Sequence, residues 1–386
     1  MQKRLVTILQ CASGLGAMSY GVMFTVLDDF RNEYGITESK LGLIVASGFV
    51  AGFFSNMFVA PIADKGFARR LVSLGIITQI LGCIVMAFGA SFIVLLLGRF
   101  LTGIGSGAAD PALRRIIILD NPDEMGSNLG RIVAAGVAGF ALGPVIAAVT
   151  VEPLGLASPF LIVAVALGVV LVLLSRVHVN EASKDDVPSQ RFAFDLMFVR
   201  PIAGVIVIGL ALYIMIGTFD SIWSVMMDDI NAPDWVASVG ITVFALPMMF
   251  LAPLGGRLTQ KYGPFRASIS GLTIAAVFMT MYGTLSSPYL MLGVGLLHGV
   301  VDGLTITGGS AALAMVAPAN RLASAQGVYN GVLTLSGGLA AGLAGATYDQ
   351  IGQNTYVVCA VVMIVLIYSG ALLARQYLGI KADSAH

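Results

Sequence analysis

Charge is the scarcest property of this sequence. Only 11% of its 386 residues are Asp, Glu, Lys or Arg, whereas soluble globular domains carry about 25%. The 21 basic residues are cancelled by 21 acidic ones, leaving no formal net charge. This balance excludes a basic nucleic-acid-binding surface, and no run of bases interleaved with aromatics is present. The three cysteines, Cys11, Cys83 and Cys359, lie in apolar segments with neither CxxC nor metal-ligand spacing, and read as buried free thiols. Among the histidines and acids there is no Ser/His/Asp order, no pair of carboxylates at catalytic spacing and no metal-ligand cluster. Nor does a phosphate-cradling glycine loop follow a strand. Neither an enzyme nor a nucleotide-driven machine is therefore expected, and no cofactor is called for.

What the chain has instead is apolar length. Hydrophobic residues make up 57% of it, more than a soluble fold of this size could bury. A membrane span needs about 20 apolar residues at about 1.5 Å each. Twelve stretches qualify, at 5–27, 39–61, 71–89, 92–112, 128–150, 156–175, 201–227, 236–258, 267–284, 288–315, 322–346 and 355–375. Segments such as Phe160 to Leu174 are apolar on every side, which excludes the alternating strands of a β-barrel. The first stretch is too long for a secretory signal and reads as a retained span. The expected fold class is an all-α membrane protein of twelve transmembrane helices in two pseudo-symmetric six-helix bundles.

The loops support this count. Lys3/Arg4, Lys65/Arg69/Arg70, Arg114/Arg115/Arg131, Arg176/Lys184/Arg191/Arg200, Arg257/Lys261/Arg266, Arg321 and Arg375/Lys381 fall on one side, and only Arg31, Lys40 and Arg99 do not. The other side is acidic, with Asp28, Asp29, Glu33 and Glu38, then Glu152, then Asp228, Asp229 and Asp234, then Asp349. Because Lys and Arg collect on the cytoplasmic side, both termini are expected there, in what reads as a bacterial inner-membrane protein. The polar interval HVNEASKDDVPSQR divides the chain into an N-terminal bundle at 1–176, a flexible cytoplasmic linker at 177–200 and a C-terminal bundle at 201–386,. The halves echo each other at a separation of roughly 195 residues, as a parallel repeat would. PIADKGFARR at Pro61 to Arg70 returns as GGRLTQKYGPFR at Gly255 to Arg266.

Three local patterns resemble the major facilitator superfamily, and the resemblance covers essentially the whole chain. The loop after span two is similar to the family's GxLaDrxGrk: Asp64, Lys65 and Arg69 match, while Ala60 and Phe67 replace its glycines. The copy after span eight keeps Gly256, Leu258, Lys261 and Gly263 but carries Gln260 in place of the acid. A loop clamping the ends of neighbouring helices is the role this implies. LLLGRFLTGIGSG in span four is similar to LxxxRxxqGxg, with Leu95, Arg99, Gly103 and Gly105 in register and Thr102 for the glutamine. Gly130, Gly139, Gly143 and Pro144 resemble the glycine-proline motif of span five in proton-coupled antiporters, with Ala147 and Ala148 where that pattern ends in glycines. Small residues at this spacing permit close helix approach, and Pro144 removes a backbone donor. The drug:proton antiporter branch is the nearest resemblance.

Charges inside spans are functional candidates. Asp302 is expected near the middle of span ten with His298 one turn before it, and Thr305 and Gly309 continue that face toward a cavity. The pair is the candidate for carrying a coupling proton, with Asp220 of span seven next. Arg99 is expected to hold an acid or a substrate group; Asp28, closing the face of span one, and Tyr213, on the face of Asp220, are further cavity candidates. Asp110 reads as structural, paired with Arg114 or Arg115. The expected function is proton-coupled efflux by alternating access, driven by an ion gradient, of a small molecule that the acids bias toward a cationic or neutral amphipathic compound. The alternatives are a metabolite uniporter or symporter, and a transporter-like receptor or scaffold. The expected partners are substrate, protons and lipid, for a monomer.

Overall fold

A computed structural model describes residues 2–179, 181, 188, 190 and 192–380. Among them are fourteen α-helices and no strand: α1 Gln2–Thr25, α2 Leu27–Tyr34, α3 Glu38–Phe58, α4 Ala68–Ala87, α5 Phe92–Asp120, α6 Met125–Leu154, α7 Ser158–Ser175, α8 Arg200–Asp229, α9 Asp234–Tyr262, α10 Pro264–Tyr282, α11 Pro288–Thr305, α12 Gly308–Val316, α13 Leu322–Ile351 and α14 Thr355–Leu373. Proline opens the first turn of α7, α8, α10 and α11, where its missing N–H would have no helical partner anyway. Eleven stretches are long and apolar enough to cross a membrane, and the last of them, Ala319–Leu373 at 55 residues, contains both α13 and α14. The described residues therefore contain twelve helical spans.

Two boundaries differ from the sequence-based spans. The first span ends at Thr25, so Asp28 lies in the separate short helix α2; its side chain is outside the described residues. The tenth span is interrupted between Thr305 and Gly308, where Thr305, Ile306 and Thr307 are β-branched and two glycines follow. Both residue types lower helix propensity, but the run is uniformly apolar, so hydropathy alone could not reveal the break.

The described residues form two compact units. The first comprises 1–122, 135–193 and 318–331; the second comprises 123–134, 194–317 and 332–386. Within the first, α5 packs on α3 and α4, and α7 packs on α1 and α4; within the second, α9 packs on α11, and α14 on α8 and α10. The pairings α3–α5, α4–α7 and α1–α7 thus return as α9–α11, α10–α14 and α8–α14, which is the internal repeat in three dimensions. Backbones meet at these seams with no side chain between them. A Cβ added at Gly204 would lie 2.7 Å from the Gly370 carbonyl oxygen, and one at Gly370 would lie 2.7 Å from that of Gly204. This is the small-residue packing of membrane helices. The opposite faces are apolar and outward, with Val165 and Leu343 each 69% exposed and Phe250 73%, a surface suited to lipid.

Candidate functional site

In the second unit, His298 and Asp302 project from successive turns of α11 and are both buried. His298 Nε2 lies 3.7 Å from Asp302 Oδ2, within ion-pair reach but beyond a hydrogen bond, and neither atom has a hydrogen-bond partner among the described residues. On the other side of the imidazole, Nδ1 is 3.3 Å from the hydroxyl of buried Tyr282, at the end of α10. Aromatic rings close the site. Phe244 and Phe278 lie 5.0 and 5.2 Å from the His298 ring, and Phe219, Trp223 and Tyr356 pack on Tyr282 at 5.4 to 6.0 Å. A methyl group at Gly299 would collide with the Phe244 carbonyl, which lets α11 seat against α9 at this level. Of the stripe read from sequence, His298 and Asp302 are buried within the second unit, and Thr305 packs on α10, against Gly271.

In the first unit, Arg99 of α5 is fully buried, and Nε, Nη1 and Nη2 all lack a hydrogen-bond partner among the described residues. Its guanidinium carbon sits 3.9 Å over the Tyr20 ring centroid and 6.0 Å from that of Phe49, a cation–π arrangement. Tyr20 is itself steered by its hydroxyl, which is 3.2 Å from both the Gly48 carbonyl and Ser106 Oγ. Glycine at 48 is what admits the arginine, since a Cβ there would stand 2.7 Å from Nε. Among the described residues, no acid pairs with Arg99.

The loop motif does pair. Asp64, in a 3-10 turn at Ala60–Lys65, is buried; Arg115 Nε donates to its Oδ1 at 3.0 Å, and the backbone N–H groups of Ala323 and Ser324 donate to it at 3.0 and 2.7 Å. These amides belong to the first turn of α13, where N–H groups lack helical partners and the dipole favours an anion. The second unit repeats the arrangement with a neutral group: Gln260 Oε1 accepts from the Gly126 N–H at 2.8 Å at the start of α6, and its Nε2 donates to the Asp123 carbonyl at 3.0 Å. The chain leaves each loop through a left-handed glycine, Gly66 at φ 85° and Gly263 at φ 105°. Lys65 is half-buried, and exposed Lys261 lies over the Tyr262 ring at 5.4 Å. Arg69 Nη2 donates to the Leu174 and Ser175 carbonyls.

The glycine motif of α6 also has defined partners. In the second unit, a Cβ at Gly130 would strike the Ala252 carbonyl, and Gly126 and Gly256 would each strike the other's backbone. In the first unit, a Cβ at Gly139 would strike the Gly14 carbonyl, and one at Gly143 would come 2.5 Å from the Val22 nitrogen. The helix runs on through Pro144.

Several candidates stand apart. Asp220 is exposed on α8 and is not among the side chains around His298. Tyr213, half-buried on the same helix, packs under α13, where a Cβ at Gly337 would lie 3.2 Å from its carbonyl. Of the two arginines considered for Asp110, Arg115 goes to Asp64, and Arg114 is the one whose charge acts on Asp110. Three contributors escaped the sequence reading. Tyr282 sits at a helix end like any interfacial tyrosine, and the partners of Asp64 lie far away in sequence. Glu181, from the linker, accepts the N–H groups of Ala68 and Arg69 at the start of α4 at 3.0 and 2.8 Å. Among the described residues, no group of three or more His, Cys, Asp or Glu side chains could hold a metal ion.

Comparison with known proteins is consistent with this architecture. The sequence model of the Major Facilitator Superfamily matches residues 8–219 and 205–379. The quinolone resistance protein NorA of Staphylococcus aureus (strain MSSA476) is 26% identical over 235 residues, 58% of this chain and 59% of that protein. The uncharacterized transporter YgaY of Escherichia coli (strain K12) is 25% identical over 175 residues, 45% of this chain and 44% of that protein. The chain thus spans less than two thirds of the length of these relatives. Among solved structures, the human organic anion transporter MFSD10 (TETRAN) superposes with a TM-score of 0.76 at 15% identity, over 95% of this chain and 99% of that one. FucP in the outward conformation superposes with a TM-score of 0.77, also at 15% identity, over 95% of this chain and 98% of that one. The chain belongs to the Major Facilitator Superfamily and is a multi-pass membrane protein.

Proposed function

We propose that this transporter exports a small amphipathic or cationic compound in exchange for protons, by alternating access of two six-helix halves, residues 1–176 and 201–386, joined by the linker at 177–200. The reading places it in a bacterial inner membrane with both termini cytoplasmic. The observation that carries it is the His298–Asp302 pair, two ionisable groups buried in a membrane helix with no other charged partner recorded among the described residues. Such groups are expensive within a bilayer and mark ion or substrate pathways. The similarity to a quinolone resistance protein supports export of foreign compounds. Arg99 serves in this scheme as a positive site in the N-terminal half, and the Asp64 and Gln260 loops with the α6 glycines govern the movement; Asp220 is the reserve candidate for coupling.

Everted vesicles test the proposal. Compounds from a panel that includes lipophilic cations should accumulate when a pH gradient is imposed and should fail to do so when a parallel set has the gradient collapsed. Asp302→Asn keeps size and most hydrogen bonding but cannot ionise, so it should eliminate pH-driven transport while substrate exchange survives. Wild-type pH dependence in Asp302→Asn would remove the coupling role.

A further inference from the structure

The coupling pair contains two groups that could hold the proton, and the contacts around it distinguish them. We propose that Tyr282 is a positioning residue that locks His298 in its neutral Nε2–H tautomer, so that the transported proton is carried on the Asp302 carboxyl group alone. This rests on the coupling role proposed above for the pair.

The geometry is directional. A tyrosine hydroxyl donates one hydrogen and can also accept, and the His298 Nδ1 at 3.3 Å is the one hydrogen-bond partner recorded for it. A neutral imidazole carries its hydrogen on one nitrogen, and the other accepts. Nε2 faces Asp302 Oδ2 at 3.7 Å, so an ionised carboxylate favours the imidazole hydrogen on Nε2, and Nδ1 is left to accept from Tyr282. The chain of donors then runs one way, from Tyr282 O–H to Nδ1 and from Nε2–H toward the carboxylate. A second proton on the imidazole would create an ion pair with Asp302 at 3.7 Å, too long for a hydrogen bond, among the rings of Phe244, Phe278 and Tyr282. A buried charge pair without good hydrogen bonds is unfavourable relative to the neutral pair of imidazole and carboxylic acid.

Among the described residues, no second charged side chain is recorded in contact with His298, and Asp220 acts on the cluster only through Tyr356. α10 contributes Tyr282 and Phe278, α9 contributes Phe244, α14 contributes Tyr356, and α8 contributes Phe219 and Trp223. Of the groups facing His298, Asp302 alone is a carboxylate, and the two share the one ion-pair contact recorded for either. In the cycle, one proton adds to an Asp302 carboxylate oxygen facing one side of the membrane and leaves the same oxygen facing the other. His298 neither gains nor loses a proton; its N–H stabilises the ionised carboxylate between the two events.

The chain has three histidines, which makes the tautomer directly readable. Full-length protein carrying His178→Gln and His386→Gln, labelled with 15N-histidine and reconstituted in lipid, leaves His298 as the sole signal. The expected spectrum is one protonated Nε2 and one unprotonated Nδ1, both unchanged between about pH 5 and 8, where a free imidazole would titrate. Over the same range an infrared carboxyl band, assigned by its loss in Asp302→Asn, should grow as pH falls. Tyr282→Phe keeps the ring but removes the hydroxyl, and should produce a mixed-tautomer or titrating His298 and a shifted pH profile of transport. An imidazolium spectrum in the protein with Tyr282 intact, or an unaltered His298 spectrum in folded Tyr282→Phe, would overturn the inference. The coupling role itself fails separately, through pH-driven transport by Asp302→Asn.

Discussion

At the scale of single residues, Arg99 and Arg115, both buried in the first unit, make opposite demands on the fold. Arg115 is matched by a carboxylate that also holds two backbone amides, whereas Arg99 has a ring face and no hydrogen-bond partner for its three nitrogens. A guanidinium inside a span costs at least about 2.5 to 3.5 kcal/mol on insertion scales, and the desolvated Tyr20 face returns about 2 kcal/mol,. Arg99→Met should therefore raise the unfolding temperature of the purified protein while reducing transport by about tenfold or more. Lys should rescue poorly, because it lacks the planar group that lies on Tyr20. A lower unfolding temperature for Arg99→Met would assign the residue to structure. Asp64→Asn should behave the other way. It strands Arg115 without its counter-charge, and breaking a buried pair costs about 3 kcal/mol, so denaturant titration should show a clear loss of stability. That both residues mattered was legible from charge at unusual places, but their partners were not. Arg115 is 51 residues from Asp64, and the amides of Ala323 and Ser324 are 259 and 260 residues away, separations that no local pattern encodes.

At the scale of helices, the sequence spoke clearly about where spans exist and much less about where they bend. Apolar run length revealed all twelve, since a buried helix and a lipid-facing one both read as unbroken hydrophobicity. The interruption at Ile306–Thr307 does not disturb that average. The glycines of α6 were legible as a stripe but not by partner, and the structure now ranks them. Gly139→Ala would drive a methyl group into the Gly14 carbonyl, whereas Gly136→Ala meets only Ser13 Oγ at 3.6 Å, an ordinary contact. Overpacking of this kind costs about 1 to 3 kcal/mol. Gly139→Ala should lose stability and most transport in vesicles, while Gly136→Ala should stay close to wild type. Equal behaviour of the two would mean that α1 and α6 do not keep this separation in the working protein.

At the scale of the whole molecule, the repeat seen in the loops is carried through to helix pairing and to the two helix-capping side chains, Asp64 and Gln260. The alternation of basic and acidic loops leads to a test of topology. In a background lacking the native cysteines, of which Cys11 is exposed, single cysteines at Glu152 and Asp229 should react with an impermeant maleimide on intact cells. Cysteines at Lys65 and Lys261 should react only after permeabilisation, and external labelling of either would refute the proposed orientation. Composition had marked the interval after α7 as a connector, but Glu181 is tied to the first turn of α4, and the Arg321 guanidinium donates to the Phe192 carbonyl at 3.0 Å. Both ends of the connector are thereby anchored, which limits where the polypeptide can be severed and still assemble from two separately translated fragments. A break introduced between Glu181 and Phe192 leaves each anchor on its own piece, whereas a break just before Glu181 puts the cap of α4 on the wrong fragment.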